Sequence, residues 1–500
     1  MKEKVEELKR RLQEINDLNS AASLLLWDQA TYMPSGGAAA RGRQMATLSQ
    51  IAHEKFTDAS MGKLLDQLQS YAESLPYDSD EASLIRVTRR DYEKKVKIPS
   101  KLLAELEEHC AASYQLWIKA RPENDFAAVQ SHLEKTLDYS RRLAECFDYD
   151  HIADPLIGFS DEGMKAESVR TLFAELRSEL VPLVKAITSQ SVPDDRCLHQ
   201  TFPEDQQLAF GEKIIRKYGY DFNRGRQDKT PHPFMTKFSL GDVRITTRVK
   251  ENKFNEALFS TLHESGHALY EQGICQDFEA TPLARGTSSG VHESQSRLWE
   301  NIVGRSRGFW QNYYPKLQVE FPNQLGNVSL DTFYRAINKV ERSLIRTNAD
   351  EVTYNLHVMI RFDLELALLE GKLAIKDLPD AWHARYQSDL GLRAPNDTNG
   401  VLQDMHWYYG YIGGAFQCYT LGNIMSALFY EQAISAHPEI PTQITQGEFD
   451  TLRTWLTENI YRHGSKFTAN ELIERVTGAP LTIEPYIRYL RTKYGELYVL

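Results

Sequence analysis

Apolar residues recur at three-to-four spacing through most of the chain. Val5, Leu8, Leu12, Ile15 and Leu18 are separated by Lys and Glu, which predicts an amphipathic opening helix laid on the rest of the protein or on a second subunit. Met33-Pro34-Ser35-Gly36-Gly37 interrupts the pattern as a turn, and helical periodicity resumes at Ala38. Segments 61–76, 81–95, 101–120, 123–148 and 166–190 predict further helices, and 189–203 a polar connector. One stretch differs: Phe238 to Val249 alternates apolar and polar residues and is rich in β-branched ones, predicting a strand or a hairpin turning at Gly241-Asp242. No repeat, low-complexity tract or long linker divides the chain. The expectation is a mainly α body with one small β-sheet, folded as two lobes around a cleft within a single domain spanning residues 1–500.

Composition narrows the function classes. With 58 Lys+Arg against 69 Asp+Glu, the formal net charge of -11 argues against a nucleic-acid-binding surface. The 42% apolar and 25% charged residues are those of a globular chain and exclude extended disorder. Cys110, Cys146, Cys197, Cys275 and Cys418 are scattered and form no Cys-x-x-Cys pair, which fits small core residues in a reduced, cytoplasmic compartment. The first residues alternate in charge where a secretory signal would be apolar, and no stretch nears 18 apolar residues, so no membrane partner is expected.

The chemistry concentrates at His263-Glu264-Ser265-Gly266-His267. On a helix, residues i and i+4 share a face, so two imidazoles there can bind one Zn²⁺, and Glu264 can reach a metal-activated water as its general base. At roughly 3% His and 6% Glu, chance yields such a motif only about 0.03 times in 500 residues. Phe254, Ala257, Leu258, Leu262, Ala268 and Leu269 make the helix body apolar, so a polar triplet there is costly to bury without a partner. A third ligand must come from elsewhere, because the extended pattern with a third histidine fails at Tyr270 and Gly273. A new helix seeded after the Gly286–Gly290 loop offers His292, Glu293 and Glu300, with Glu271 a weaker candidate; spacing favours Glu293. Imidazole and carboxylate ligands suit Zn²⁺ and admit Co²⁺ or Mn²⁺.

These residues, with His292-Glu293-Ser294-Gln295, resemble the metallocarboxypeptidases of the thermostable carboxypeptidase 1 type. Further matching motifs follow in the family's order: His232-Pro233-Phe234, Asp242-Val243-Arg244-Ile245-Thr246, Ile345-Arg346-Thr347-Asn348-Ala349-Asp350, and Gly400 to Trp407. Leu25 to Gln29 and Met33-Pro34 also look like the family, so the resemblance spans about residues 20 to 425. It implies a helical, zincin-like, two-lobed body with a long central groove, commonly a homodimer. The implied activity is stepwise release of single amino acids from the free C-termini of peptides, with broad specificity. It also implies metal ligation by His263, His267 and Glu293. One departure stands out. Members often read Gly-Tyr-Phe-Pro-x-Tyr where this chain has Gly414-Ala415-Phe416-Gln417-Cys418-Tyr419, which bears on local groove shape and side-chain preference.

Peptide hydrolysis also needs a second donor to share the oxyanion charge, and Tyr419, His406 and His232 are the candidates. Recognition of a free carboxylate demands a guanidinium. Arg346 is the first choice and Arg244 the second, each with an ion pair to its own neighbour, Asp350 or Asp242, as the alternative role. Asp242 to Thr246 is expected as an edge strand that binds substrate backbone. Gln403 and Asp404 are placed near substrate, with Asp404 also able to orient a metal-binding imidazole.

Overall fold

The computed structural model describes residues 1–500. The opening helix runs Lys2–Thr31 and buries Val5, Leu8, Leu12, Ile15 and Trp27 against the same chain. After a short turn at Ser35–Gly37, the helix Ala38–Thr57 packs against it. Helices Ala59–Glu73, Asp80–Lys97, Ser100–Glu123, Phe126–Ala144 and Ala166–Thr188 follow the predicted segments. Side-chain caps set the starts of three of them. Asp58, Ser79 and Asp125 each accept a backbone N–H of the first turn. The connector 189–203 holds only the short turn Arg196–His199.

The small sheet contains β1 (Gln227–Lys229), β2 (Met235–Ser239) and β3 (Asp242–Thr247) in the order β1-β3-β2. β2 and β3 form the hairpin, turning at Leu240-Gly241. β1 runs parallel to β3, pairing Gln227 with Ile245 and Lys229 with Thr247. This corrects the edge-strand expectation: β3 is the central strand, with neighbours on both sides, so no row of free backbone groups remains there for a substrate. The three residues of β1 carry no alternation by which a sequence would reveal them.

A main core of 104 buried residues unites most helices, while a separate core of 16 joins the N-terminal helices to Leu240, Ile274, Phe278 and Leu283. The N-terminal helices therefore clamp the hairpin turn and the chain that leaves the motif helix. The motif helix is Phe254–Gln272. Its neighbour runs Ser289–Arg297, started by Ser288, whose Oγ accepts the Val291 N–H, and continues as a π-helical turn over Leu298–Val303. The long helix Gln417–Ala436 packs along that neighbour. Helix Tyr354–Leu369 is buried on nearly every face. All five cysteines are free thiols; Cys418 is buried, and the other four are partly exposed but pack against the two cores. No helix is long and apolar enough to cross a membrane.

Candidate metal centre

Two glycines allow the three central helices to meet. A Cβ on Gly266 would lie 2.5 Å from the Gln295 carbonyl oxygen and 2.7 Å from Ser296 Cα. One on Gly422 would lie 2.6 Å from both Cβ and Cγ of Glu293. The second-ligand helix is thus wedged between backbone on one side and Gly422 on the other. This brings Glu293 Oε2 to 3.5 Å from His267 Nε2 and 3.7 Å from His263 Nε2. One ligand atom from each of the three residues lies within 4.8 Å of the others. Ligand atoms held tetrahedrally at about 2.0–2.1 Å from an ion sit roughly 3.3–3.4 Å apart, so the set fits a small divalent metal with little adjustment. Two imidazoles and a carboxylate match zinc-type chemistry.

The outward ring nitrogens explain why the lone pairs face inward. His263 Nδ1 is 2.9 Å from Glu300 Oε2. A carboxylate only accepts, so the proton sits on Nδ1 and Nε2 is free for a metal. His267 reaches the same state through a relay. Its Nδ1 is 2.7 Å from His292 Nδ1, and His292 Nε2 is 2.9 Å from Glu271 Oε1. Glu271 takes the His292 Nε2 proton, so His292 Nδ1 accepts from His267 Nδ1–H. Glu271 is held in turn by Lys237 Nζ at 2.6 Å, which links the relay to β2.

Charges around this cluster shift its acids in opposite directions. Burial raises the Glu293 carboxyl, but Arg297, donating from Nε at 2.7 Å, and the two histidines outweigh burial and hold it far below the usual range. Glu300 is likewise held at about 2, against burial, by Arg297, His263 and Arg305. Burial pushes His267 down to about 4. Glu264 is 6% exposed, no hydrogen bond stabilises its anion, and burial pushes it up to about 7. A carboxyl poised there can both take and return a proton at neutral pH.

Beside this cluster lies a second one. Arg346 Nε and Nη2 both donate to Asp404, Nη2 at 2.7 Å, and Nη1 donates to the Tyr354 hydroxyl at 3.0 Å. The expected Arg346–Asp350 pair does not form. Residues 346–348 make a short 3₁₀ turn, so four-residue helical spacing does not apply, and Asp350 instead accepts the N–H groups of Val352 and Thr353. Tyr354 connects the two clusters, its ring lying 4.8 Å under Arg297. Tyr419 OH and His406 Nε2 are 3.3 Å apart, and the Tyr419 ring lies 5.4 Å from the Arg346 guanidinium.

The remaining expected site residues have the following surroundings. Arg244 makes a two-point pair with Asp242, both bonds at 2.8 Å, and stacks on Trp27. The Thr246 hydroxyl is buried and engaged with Thr230 and the Phe234 backbone. His232 is exposed in the loop between β1 and β2, and its side chain makes no hydrogen bond to the histidine–glutamate cluster. Gln403 meets Arg346 through its amide oxygen, which accepts the Arg346 backbone N–H at 3.0 Å. Asp404 pairs with Arg346 and Arg361 rather than with His263 or His267, whose outward nitrogens meet Glu300 and the His292–Glu271 pair. These three were visible as ligand candidates, whereas the roles of Arg297, Tyr354 and Arg361 were missed. For Arg361 a signal existed: His357, Arg361 and Glu365 recur every four residues in an otherwise apolar helix. Gln417 donates to Ser160, Asp161 and Gly414, and Asp161 accepts the Gly290 N–H in the first turn of the Ser289–Arg297 helix.

A fold and site of this kind define a metallopeptidase, and comparison with known proteins specifies which. The family model "Carboxypeptidase Taq (M32) metallopeptidase" matches residues 7–494. Thermostable carboxypeptidase 1 of Thermus thermophilus is 40% identical over 492 residues, covering 96% of each chain. Carboxypeptidase 1 of Bacillus subtilis is 36% identical, covering 98% of this chain and 97% of its own. The crystal structure of the M32 carboxypeptidase from Deinococcus radiodurans R1 superposes with a TM-score of 0.97 at 51% identity, covering 99% of this chain and 100% of that one. The chain belongs to the M32 carboxypeptidase Taq family and is a metallocarboxypeptidase, a peptide hydrolase.

Proposed function

We propose that this chain, acting as one catalytic domain over residues 1–500, is a zinc-dependent carboxypeptidase that releases single amino acids stepwise from peptide C-termini with broad specificity. The observation that carries the reading is the His263–His267–Glu293 cluster with Glu264 buried on the same helical turn. His263, His267 and Glu293 would hold the metal. When bound, such an ion supplies Lewis-acid polarisation of the scissile carbonyl and a water acidic enough to attack at neutral pH. Glu264 takes the proton of the attacking water and returns it to the leaving amine. The Tyr419 hydroxyl and His406 imidazole share the developing oxyanion charge. Arg346 receives the terminal carboxylate. Asp404 occupies its Nε/Nη2 edge, and three of its five N–H groups are engaged in all, so one remains on each terminal nitrogen. That pair matches the two oxygens of a carboxylate.

The free thiols of all five cysteines support a reducing, cytoplasmic setting, and a homodimer is the proposed assembly, to be read by light scattering. The decisive test follows amino-acid release by mass spectrometry from an unblocked peptide and its C-terminal amide, with metal content measured on wild type and Glu264→Gln. A one-residue ladder from the free acid alone, lost in the metal-loaded variant, is expected. Internal cuts in both peptides would refute the exopeptidase reading, and full activity in Glu264→Gln would refute the assigned base.

A further inference from the structure

Arg346 has a difficulty as a carboxylate receptor. Its partner Asp404 cancels its charge, and a neutral ion pair attracts an anion poorly. The structure contains a remedy. Arg361, fully buried on helix Tyr354–Leu369, donates from Nε to the second Asp404 oxygen. Its Nη2 donates to Gln403 Oε1 at 2.8 Å, and that same oxygen accepts the Arg346 backbone N–H at 3.0 Å. Nη1 is used by the His357 carbonyl at 2.8 Å and the Tyr386 hydroxyl at 3.1 Å. Arg361 therefore touches two of the three groups that hold Arg346, its side-chain partner Asp404 and its main-chain partner Gln403, the third being Tyr354. With two guanidiniums and one carboxylate, the cluster has a net charge of +1.

We propose that Arg361 is a positioning residue for substrate recognition. It keeps the Arg346 site cationic in spite of Asp404 and fixes the orientation of the Arg346 fork toward the terminal carboxylate of the peptide. This rests on the reading of Arg346 given above. A buried guanidinium serving fold alone could pair with one carboxylate and leave the local charge at zero. Here three charged groups share a site lined by the Phe416, Trp382 and Tyr419 rings, where charges are poorly screened. Deleting the Arg361 charge leaves the Arg346–Asp404 pair neutral. Deleting both Arg361 and Asp404 charges restores +1.

The test uses metal-loaded enzyme and a free-acid peptide. Arg361→Gln is expected to raise KM about tenfold or more while kcat changes less than about twofold, because the lost interaction is equal in bound substrate and transition state. Acetohydroxamate, a metal-binding inhibitor without a carboxylate, should keep its inhibition constant in this variant. The double variant Arg361→Gln/Asp404→Asn should recover KM at least severalfold relative to Arg361→Gln, although it lacks both side chains' hydrogen bonds. If Arg361→Gln does not fold, Arg361→Lys is measured; it keeps the charge but loses the forked contacts to Gln403 and Tyr386, so KM should rise with hydroxamate inhibition unchanged. Unchanged KM in Arg361→Gln (or in Arg361→Lys where the first variant does not fold), a parallel loss of hydroxamate binding, or no recovery in the double variant would each overturn the proposal. Arg346→Gln separates the two readings. If it leaves KM unchanged, the carboxylate role of Arg346 fails and this inference with it. If it raises KM and Arg361→Gln does not, only the role of Arg361 falls.

Discussion

Replacing Gly266 by alanine sets two effects against each other. In a helix interior, alanine is favoured over glycine by about 1 kcal/mol, so local propensity predicts a more stable protein. The tertiary structure predicts the reverse. The added methyl would lie 2.5 Å from the Gln295 oxygen, about 0.9 Å inside ordinary van der Waals contact at 3.4 Å, and its neighbours are backbone atoms that no rotamer change can move. Overpacking of this kind costs about 1–3 kcal/mol, which exceeds the propensity gain over most of that range. The strain is relieved only if the helix carrying Glu293 moves away from the one carrying His263 and His267. Metal sites tolerate about 0.2 Å of ligand displacement, several times less than the shift required. The expected outcome is a lower urea midpoint for the metal-free protein and metal affinity weakened at least tenfold, read by competition with a chromogenic chelator. A midpoint above wild type with unchanged affinity would show that the helix contact at Gly266 is not the constraint the geometry implies.

Glu300→Gln should weaken metal binding by about 10–100-fold in the same chelator assay, since the amide no longer fixes the His263 tautomer; equal affinity would sink that role. Tyr419→Phe should lower kcat by about a hundredfold with little change in KM if its hydroxyl shares the oxyanion charge, and a pure KM effect would reassign it to binding. Glu365 makes a pH prediction. Burial pushes its carboxyl up to about 7 from an ordinary 4.5, against the Trp407 indole N–H that donates to it at 2.8 Å. Between those values the folded state holds a proton that the unfolded state has lost, so stability falls as pH rises from about 4.5 to about 7 and is level above. Glu365→Gln should remove that slope, gaining at most roughly 3 kcal/mol at pH 8 and almost nothing at pH 4.5 in urea titrations. A gain at pH 4.5 as large as at pH 8 would refute the assignment.

The site was legible where its information is local. His263 and His267 share one helical face by spacing alone, with Glu264 beside them, and Glu293 is a candidate from the start of the next helix. The helices themselves were legible from periodicity, with ends adjusted by Asp58, Ser79 and Asp125 acting as caps. The sheet was half legible. The alternating hairpin announced itself, but β1 has three residues and no pattern, and its parallel pairing turned an expected edge strand into a central one.

What the sequence alone determined is the set of elements and the chemistry each carries, because helix and strand periods dictate which residues share a face. Only the tertiary structure decided partners between elements. Arg346 joins Asp404 and Arg361 rather than Asp350, Glu300 supports His263, and the relay through His292 and Glu271 supports His267. Each pairing joins side chains from different turns or helices, and its reach is set by how closely two backbones pack. That distance is controlled here by Gly266 and Gly422, whose missing side chains leave no mark in any hydrophobic pattern but bring Glu293 between its neighbours.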